Sequence, residues 1–448
     1  YVVLDNHKEG DFNPYLFKSE DQGNSWVPIS NDLPKRTLLW RIVQDHINKN
    51  LFFLATEFGV YTSLNGCKNW QKLNGTPNMG FRDLVIQKRE SDLVAASFGR
   101  GFYVLDDYSP LRNFSNENLK KKGHLFPIKD GKWYIQRSNL GNTGADFYLA
   151  ENPKYGVTMT YHLGNKYETK SEKRKKSEKR LNQNLLDVPF PGYNNLDEEK
   201  NETPAYIKIS IEDQEGNIIR HLKERASRGT HRITWDLRHM FKGSVTNSNK
   251  KSNLRGPIVK PGKYSASLYL VENGETTKLS EKEIFELKPI YESILNGTSF
   301  KDYNTYVDDY FRVYNDLQLI EHKIKAANEK VNSLKIAIEN TPRETKELVF
   351  DYHNLKSSLL SIKRKVFGNE SKTEIGEKNA PTLFNRIRVA SQGLSSSYGP
   401  TKLHMESLNM AKLMNEDIKH MINELISKIV NPLENKIKAI GGPIIIDN

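Results

Sequence analysis

The chain has 448 residues, 27% of them charged and 37% hydrophobic, a length that suffices for about two to four domains. It holds no apolar run of about 18 residues, which excludes a transmembrane helix. A lone Cys67 excludes an internal disulfide, and the net charge of +12 is spread along the chain as a basic surface rather than gathered into one anion-binding site.

The chain opens at Tyr1-Val2-Val3-Leu4-Asp5, in strand-like sequence with no Met or signal segment, so a processed or incomplete product is expected. Tyr15-Leu16-Phe17-Lys18 predicts a strand and Trp26-Val27-Pro28-Ile29 its hairpin partner. The turn between them, Ser19-Glu20-Asp21-Gln22-Gly23-Asn24-Ser25-Trp26, has Asp21 to cap backbone donors and Gly23 to accept positive φ. Trp26 then supplies a large ring, expected to be buried. The stretch Ser63-Leu64-Asn65-Gly66-Cys67-Lys68-Asn69-Trp70 repeats this turn 44 positions later, with Asn65 for Asp21 and Cys67 for Gly23. A second register relates Trp40-Arg41-Ile42-Val43 to Phe81-Arg82-Asp83-Leu84, Leu51–Thr56 to Leu93–Ser97, and Gly59-Val60-Tyr61 to Gly101-Phe102-Tyr103. A period of about 41 to 42 residues carrying four short strands is the length of one propeller blade.

The pattern Ser-x-Asp-x-Gly-x-Ser-Trp resembles the Asp-box, or BNR repeat, of sialidase-like and sortilin-like β-propellers. Thr56-Glu57-Phe58-Gly59-Val60-Tyr61 together with Ser97-Phe98-Gly99-Arg100-Gly101-Phe102-Tyr103 resembles the closing blades of bacterial sortilin-like Asp-box proteins often labelled glycosyl hydrolases by similarity. The resemblance implies that Ser19, Asp21, Gly23, Ser25, Trp26, Ser63, Asn65 and Trp70 are structural markers of the fold. Residues 1–108 are expected to be the last blades of a partial propeller: one lacking its first strand, one complete, and three strands of another. A propeller closes with roughly four to eight blades and folded proteins avoid open sheet edges. Upstream blades are therefore expected in the same protein or on another chain, the alternative being an open β-sheet domain.

Residues 109–150 read as an extended connector with isolated strand-like pieces at His124–Pro127 and Lys132–Ile135. Residues 151–290 return to period 2: Val157–Leu163, Ala205–Ile211 turning at Asp213-Gln214-Glu215-Gly216-Asn217 into Ile218–Leu222, Gly229–Asp236, and Pro261–Leu270. Strands at this spacing suggest a small sandwich, and the order Gly-x-x-x-Ile-x-Trp-Asp then Pro-Gly-x-Tyr resembles the Ig-like domain of bacterial hook-cap and surface proteins. Trp235 is expected in its core rather than stacked on a ligand. A basic loop insertion at 164–203, centred on Lys173–Arg180, carries no aromatic residue within the run and reads as a mobile solvated loop; phosphate gripping is the sharper alternative. Lys242–Gly256 reads as a second exposed loop.

Residues 291–448 change period to about 3.5. One stripe runs Val307, Tyr310, Tyr314, Leu317, Ile320, Ile324, Ala327, Val331, Leu334, Ile338, and predicts a long amphipathic helix. Thr341-Pro342-Arg343-Glu344 reads as a capping box opening a second, with Leu348, Tyr352, Leu355, Leu359, Ile362 and Val366 on one face. Shorter stripes at Leu383, Ile387, Ala390 and at Ala411, Met414, Ile418, Met421, Leu425, Ile429 complete an antiparallel bundle, with a kink or end expected at Pro432. The Met positions read as core filling before partner groove.

No Ser/His/Asp set, His-x-x-x-His, Cys-x-x-Cys or glycine-rich phosphate loop occurs, so no catalytic, cofactor or metal residue is assigned. Resemblance to sialidases would ask for three arginines and a Tyr/Glu pair. Arg41, Arg82 and Arg100 are present, but Arg41 and Arg82 fall at equivalent repeat positions and no Tyr/Glu pair joins them. A glycosidase would need two acids about 5 to 9.5 Å apart; Asp83, Asp106 and Asp107 are the nearest, with a partner acid upstream. Two functional readings follow. One is a non-catalytic, secreted or cell-surface (or periplasmic) scaffold whose propeller recognises a peptide or protein within a larger assembly. The other is a glycoside hydrolase acting on polysaccharide. Nucleic-acid binding through Lys173–Arg180 is the third and weakest.

Overall fold

The computed structural model describes residues 1–136, 144, 150–245, 254–291, 296–342 and 346–445. Two compact units emerge, Tyr1–Gly131 with Gly144–Asp236 and Lys263–Glu286, and Lys132–Thr143 with Leu237–Gly262 and Leu287–Asn448. The N-terminal part is β-rich with several sheets, and the C-terminal part is helical. Among the described residues no helix is long and apolar enough to cross a membrane.

In the first unit, strands β1 (Val2–Asn6), β2 (Asp11–Lys18) and β3 (Val27–Pro28) make one antiparallel sheet. Strands β4 (Leu39–Gln44), β5 (Phe52–Thr56), β6 (Gly59–Ser63) and β7 (Gln71–Lys72) make a second, and β8 (Phe81–Gln87), β9 (Asp92–Ser97) and β10 (Phe102–Leu105) a third. This grouping of three, four and three strands is the one the repeat predicts. The middle sheet is apolar on both faces. Phe52 and Leu54 pack with Leu16, Leu33, Cys67 and Trp70, on the side of the first sheet, whereas Phe53, Ala55 and Val60 pack with Phe81, Leu84, Leu93 and Ala95 of the third. Period 2 explains the division, since alternate residues of β5 point to opposite faces.

After β10 come a short helix α1 (Asn116–Lys120) and strand β11 (Gly123–Leu125), which pairs with β13 (Val157–Leu163); β12 (Gly131–Trp133) follows it in the chain. Within the segment expected to be a connector, His124 and Leu125 are thus hydrogen-bonded sheet residues. Strand β13 pairs in turn with β16 (Gly229–Trp235). A further sheet places β17 (Gly262–Glu272) beside β14 (Tyr206–Asp213), which pairs with β15 (Ile218–Arg225); β18 (Glu275–Lys278) and β19 (Glu283–Pro289) also pair with β17. The Asp213–Asn217 turn forms as expected, with Asp213 Oδ1 accepting from the amides of Glu215 and Asn217 at 2.9 Å and Gly216 at φ +84°. Trp235 is fully buried, its ring 5.4 Å from that of Tyr264 and 6.2 Å from that of Phe285. Gly156 stands at φ +125° so close to this core that a Cβ would meet the Trp235 carbonyl oxygen at 1.8 Å.

The basic insertion departs from its expected form. It is not a loop but two helices, α2 (Lys170–Gln183) and α3 (Tyr193–Asn201). Lys, Arg and Glu are good helix formers, Arg174 pairs with Glu178 one turn on, and Thr169 with Glu172 closes a capping box at the start. That box is the signal the charge run obscured.

In the second unit the apolar stripes lie where the period places them. Helix α4 (Phe300–Glu339) buries Val307, Tyr310, Leu317, Ile320, Ile324, Val331, Leu334 and Ile338, with Tyr314 and Ala327 half-buried beside them. It packs on α5 (Lys346–Phe367), α7 (Leu383–Gln392) and α8 (Lys402–Leu425); a short α6 (Glu370–Glu374) precedes α7. The break expected at Pro432 appears as a π turn over Ile426–Val430, after which α9 (Asn431–Ala439) continues with proline in its first turn. A π turn shifts the carbonyl that the proline ring would strike. Met414 and Met421 fill the core edge. Arg343 and Glu344 of the expected capping box, and 246–253 of the second expected loop, lie outside the described residues. The segment Leu237–Gly262 belongs with the helices: Phe241 meets the Phe311 ring at 6.0 Å, and Asn315 Nδ2 donates to the Lys242 carbonyl at 2.8 Å.

Candidate functional site

The two repeat turns share one hydrogen-bond design. In the first, Ser19 Oγ accepts from the Gly23 amide at 2.7 Å and donates to Asp21 Oδ1 at 2.8 Å, and that oxygen accepts from the Ser25 amide at 2.8 Å. In the second, Ser63 Oγ accepts from the Cys67 amide at 3.0 Å and donates to Asn65 Oδ1 at 3.1 Å, which accepts from the Asn69 amide at 3.0 Å. The remaining bond reverses its donor: Ser25 Oγ donates to Asp21 Oδ2 at 2.6 Å, whereas Asn65 Nδ2 donates to Asn69 Oδ1 at 3.0 Å. Asp/Ser and Asn/Asn are therefore two solutions of one geometry. Both turns also use left-handed residues in sequence, Gln22 (φ +61°) then Gly23 (φ +95°), and Gly66 (φ +71°) then Cys67 (φ +67°). The Ser25 hydroxyl and amide, with Ser19, hold the Asp21 carboxyl down to about 2. These groups knit the turn.

The two tryptophans have different surroundings. Trp70 is 5% exposed; its indole donates to the Ile29 carbonyl at 3.0 Å and its amide to Asp32, both from the chain following the first sheet. Trp26, expected buried, is 45% exposed. Trp70 thus packs on the sheet before its own, whereas Trp26 lies open on the first sheet.

The ladders refine the repeat. Leu39 pairs with Thr56 and Arg41 with Ala55; Phe81 pairs with Ser97 and Asp83 with Ala96, each strand bulging after its first residue. Trp40 therefore corresponds to Arg82, and Arg41 to Asp83, one place from the sequence alignment, because the bulge residue has no partner to mark it. Arg41 and Arg82 are not equivalent. Arg82 lies 3.5 Å above the Trp40 ring centroid and 4.9 Å from that of Phe98, and Arg41 Nε stands 3.5 Å from Asp83. By the same registers Val60 corresponds to Phe102 and Val43 to Val85. Val60, facing the third sheet, is 1% exposed; Phe102, on the outer face of that sheet, is 77% exposed, and Val85 and Val104 are exposed with it.

The sequence candidates for acid chemistry are dispersed. Asp107 Oδ1 accepts from the amide and hydroxyl of Ser109, in a turn with Asp107 at φ +44°. The Asp106 carboxyl is raised by burial and by Asp92, while the guanidinium of Arg232 bonds the backbone carbonyls of Asp106 and Asp107. A buried acid that sequence reasoning missed is Asp45, which accepts from Tyr108, Arg112 and the Asn48 amide.

In the second unit a cavity of about 290 Å³ is walled by Trp133, Tyr134, Tyr291 and Phe300, with Lys260 and Thr298. Trp133 Nε1 donates to the Val259 carbonyl at 2.6 Å, fixing one wall. Burial lowers the Lys260 ammonium, which lies near the carbonyls of Ser397 and Tyr398 (3.4 and 3.3 Å) and 5.2 Å from the Tyr303 ring. These carbonyls and the ring face bind that cation within the fold.

No family model and no curated protein matches the chain. Among solved structures it is similar to one titled "Biofilm associated protein - BSP domain", with 7% identity and a TM-score of 0.14, over 56% of this chain and 25% of that one. The chain thus spans a quarter of that structure, at a similarity too low to carry fold or function.

Proposed function

We propose that the chain belongs to a non-catalytic, secreted or cell-surface binding scaffold, in which the three N-terminal sheets are successive blades of an Asp-box propeller of the sortilin-like kind. Its ligand is a peptide or protein. The Ig-like and helical modules attach it to a larger assembly. One observation carries this reading: the positions that the middle sheet buries against its neighbours on both sides are left open on the outer faces of the first and third sheets, Trp26 on one and Phe102 on the other. An apolar face that repeats a buried interface is filled by another copy of the same sheet. Further blades, upstream in the same protein or on another chain, supply it.

The polysaccharide-hydrolase reading has less behind it, since Asp83 is held by Arg41 and Asp107 by its own turn. The test uses the protein with its full set of repeats, offered a peptide library and a panel of polysaccharides. Saturable peptide capture without turnover is expected. Turnover that disappears on Asp83→Asn or Asp106→Asn would overturn the scaffold reading.

A further inference from the structure

The hairpin of α2 and α3 has no buried residue in either helix. Ion pairs hold it instead. Arg174 engages Glu199 through Nε (2.7 Å) and Nη2 (2.8 Å) and Glu178 through Nη1 (2.6 Å), and Lys170 Nζ meets Glu198 at 2.7 Å. The contacts between the two helices lie toward the base, where α2 begins and α3 ends.

The apex is different. Its connecting segment is apolar and open to water: Leu185 is 95% exposed, Phe190 64% and Tyr193 78%, with Leu186 and Val188 exposed between them. Leu185 is held at φ +55°, a conformation leucine adopts only against resistance. Just before this segment, Lys179 and Arg180 are exposed at the end of α2 and make no ion pair among the described residues, and Lys173 and Lys175 lie exposed further down. The acids of α3 are engaged at the base, so the apex is a cluster of aliphatic and aromatic side chains beside two cations, with Asp187 as its one acid.

We propose that this apex docks on an anionic lipid surface, with Leu185, Phe190 and Tyr193 entering the boundary between headgroups and acyl chains and Lys179 and Arg180 on the lipid phosphates. Three features favour lipid over a protein groove. All but Tyr193 lie on a non-helical segment, so they do not present the single helix face that a groove reads. A lipid boundary asks only for apolar surface beside cations. Pro189 and Pro191 remove two backbone N–H donors from the segment that would leave water.

The test uses the full chain and vesicles of phosphatidylcholine, alone or with about one-third phosphatidylglycerol, read by co-sedimentation. Binding is expected only with the anionic lipid and should weaken with salt. The double variant Leu185→Ser with Phe190→Ser, whose side chains lie in solvent, should bind at least about tenfold more weakly. Lys179→Gln with Arg180→Gln should lose about tenfold, and Asp187→Asn, which removes the acid at the apex, should tighten binding. A thermal melt checks that each variant is folded. Wild-type affinity in the Ser variant would reduce the contact to simple electrostatics and overturn the proposal. So would failure to bind anionic vesicles, including the case in which the chain binds heparin or single-stranded DNA instead.

Discussion

Tyr108 donates its hydroxyl to Asp45 Oδ1 at 2.6 Å, across 63 residues of sequence, and thereby ties the chain leaving the third sheet to the end of β4 in the second. Arg112 completes the joint, with Nε on Oδ2 and Nη2 on Oδ1, both at 2.9 Å. Removing the carboxylate with Asp45→Ala would leave a guanidinium and a phenol facing a void. A loss of about 3 to 5 kcal/mol in urea unfolding is expected, against about 1 kcal/mol for Tyr108→Phe.

The same joint sets a pH dependence. Burial alone would raise the Asp45 carboxyl, but the Arg112 bonds, the Asn48 amide and the Tyr108 hydroxyl hold it well below the usual carboxylate range. The folded state therefore keeps the carboxyl ionised at pH values where the unfolded chain, near 3.9 for an ordinary Asp, takes up a proton. The stabilisation is complete above that value and is lost as pH falls below about 4. The gap in melting temperature between wild type and Asp45→Asn should narrow as pH is lowered from 6 to about 3. A constant gap across this range would show that the carboxylate charge is not what holds the joint.

Cys67 sits in the left-handed place of the second repeat turn with its thiol buried, and burial pushes that thiol up to about 12. Because the thiolate is the reactive species, a disulfide reagent at about pH 8 should leave the folded protein unmodified and titrate one thiol once denaturant is added. Rapid labelling of the native protein would contradict the burial.

Much of this architecture was legible because it rests on periods. The stripes of α4 and α5 name their buried residues, and the repeat offset groups ten strands into three sheets. What escaped depends on pairing that no single sequence window contains. The bulges at Trp40 and Arg82 shift a register by one without leaving a local mark, so two arginines looked equivalent that are not. The helices of the basic insertion hid behind their charge, although Thr169 and Glu172 already spelled a capping box. Asp45 gave no signal at all, since its partners Tyr108 and Arg112 lie more than 60 positions away.

Gly156 gives a steric prediction. Its φ of +125° and the 1.8 Å that would separate a Cβ from the Trp235 carbonyl oxygen leave no room for a side chain, and backbone cannot yield as a flexible side chain would. Gly156→Ala should prevent β13 from pairing beside Trp235. The expected outcome is loss of the cooperative near-UV transition of the aromatic core, whereas Gly216→Ala, in an open turn, should retain it with a modest drop in melting temperature.

The two tryptophans separate the propeller reading from a self-sufficient sheet stack. Trp70 fills the space between the first and second sheets, and Trp70→Ala should cost about 3 to 5 kcal/mol. Trp26 occupies the same place in its own turn but faces water, so in this chain Trp26→Ala should cost under about 1 kcal/mol. If the proposed further blades are joined to the chain, it should show a different ratio. Trp26 would then gain the carbonyl and apolar partners that Ile29 and Leu33 give Trp70, its fluorescence would shift to the blue, and Trp26→Ala would become as costly as Trp70→Ala. Equal and small effects of Trp26→Ala in both contexts would mean that no sheet packs there, and the open face would need another explanation.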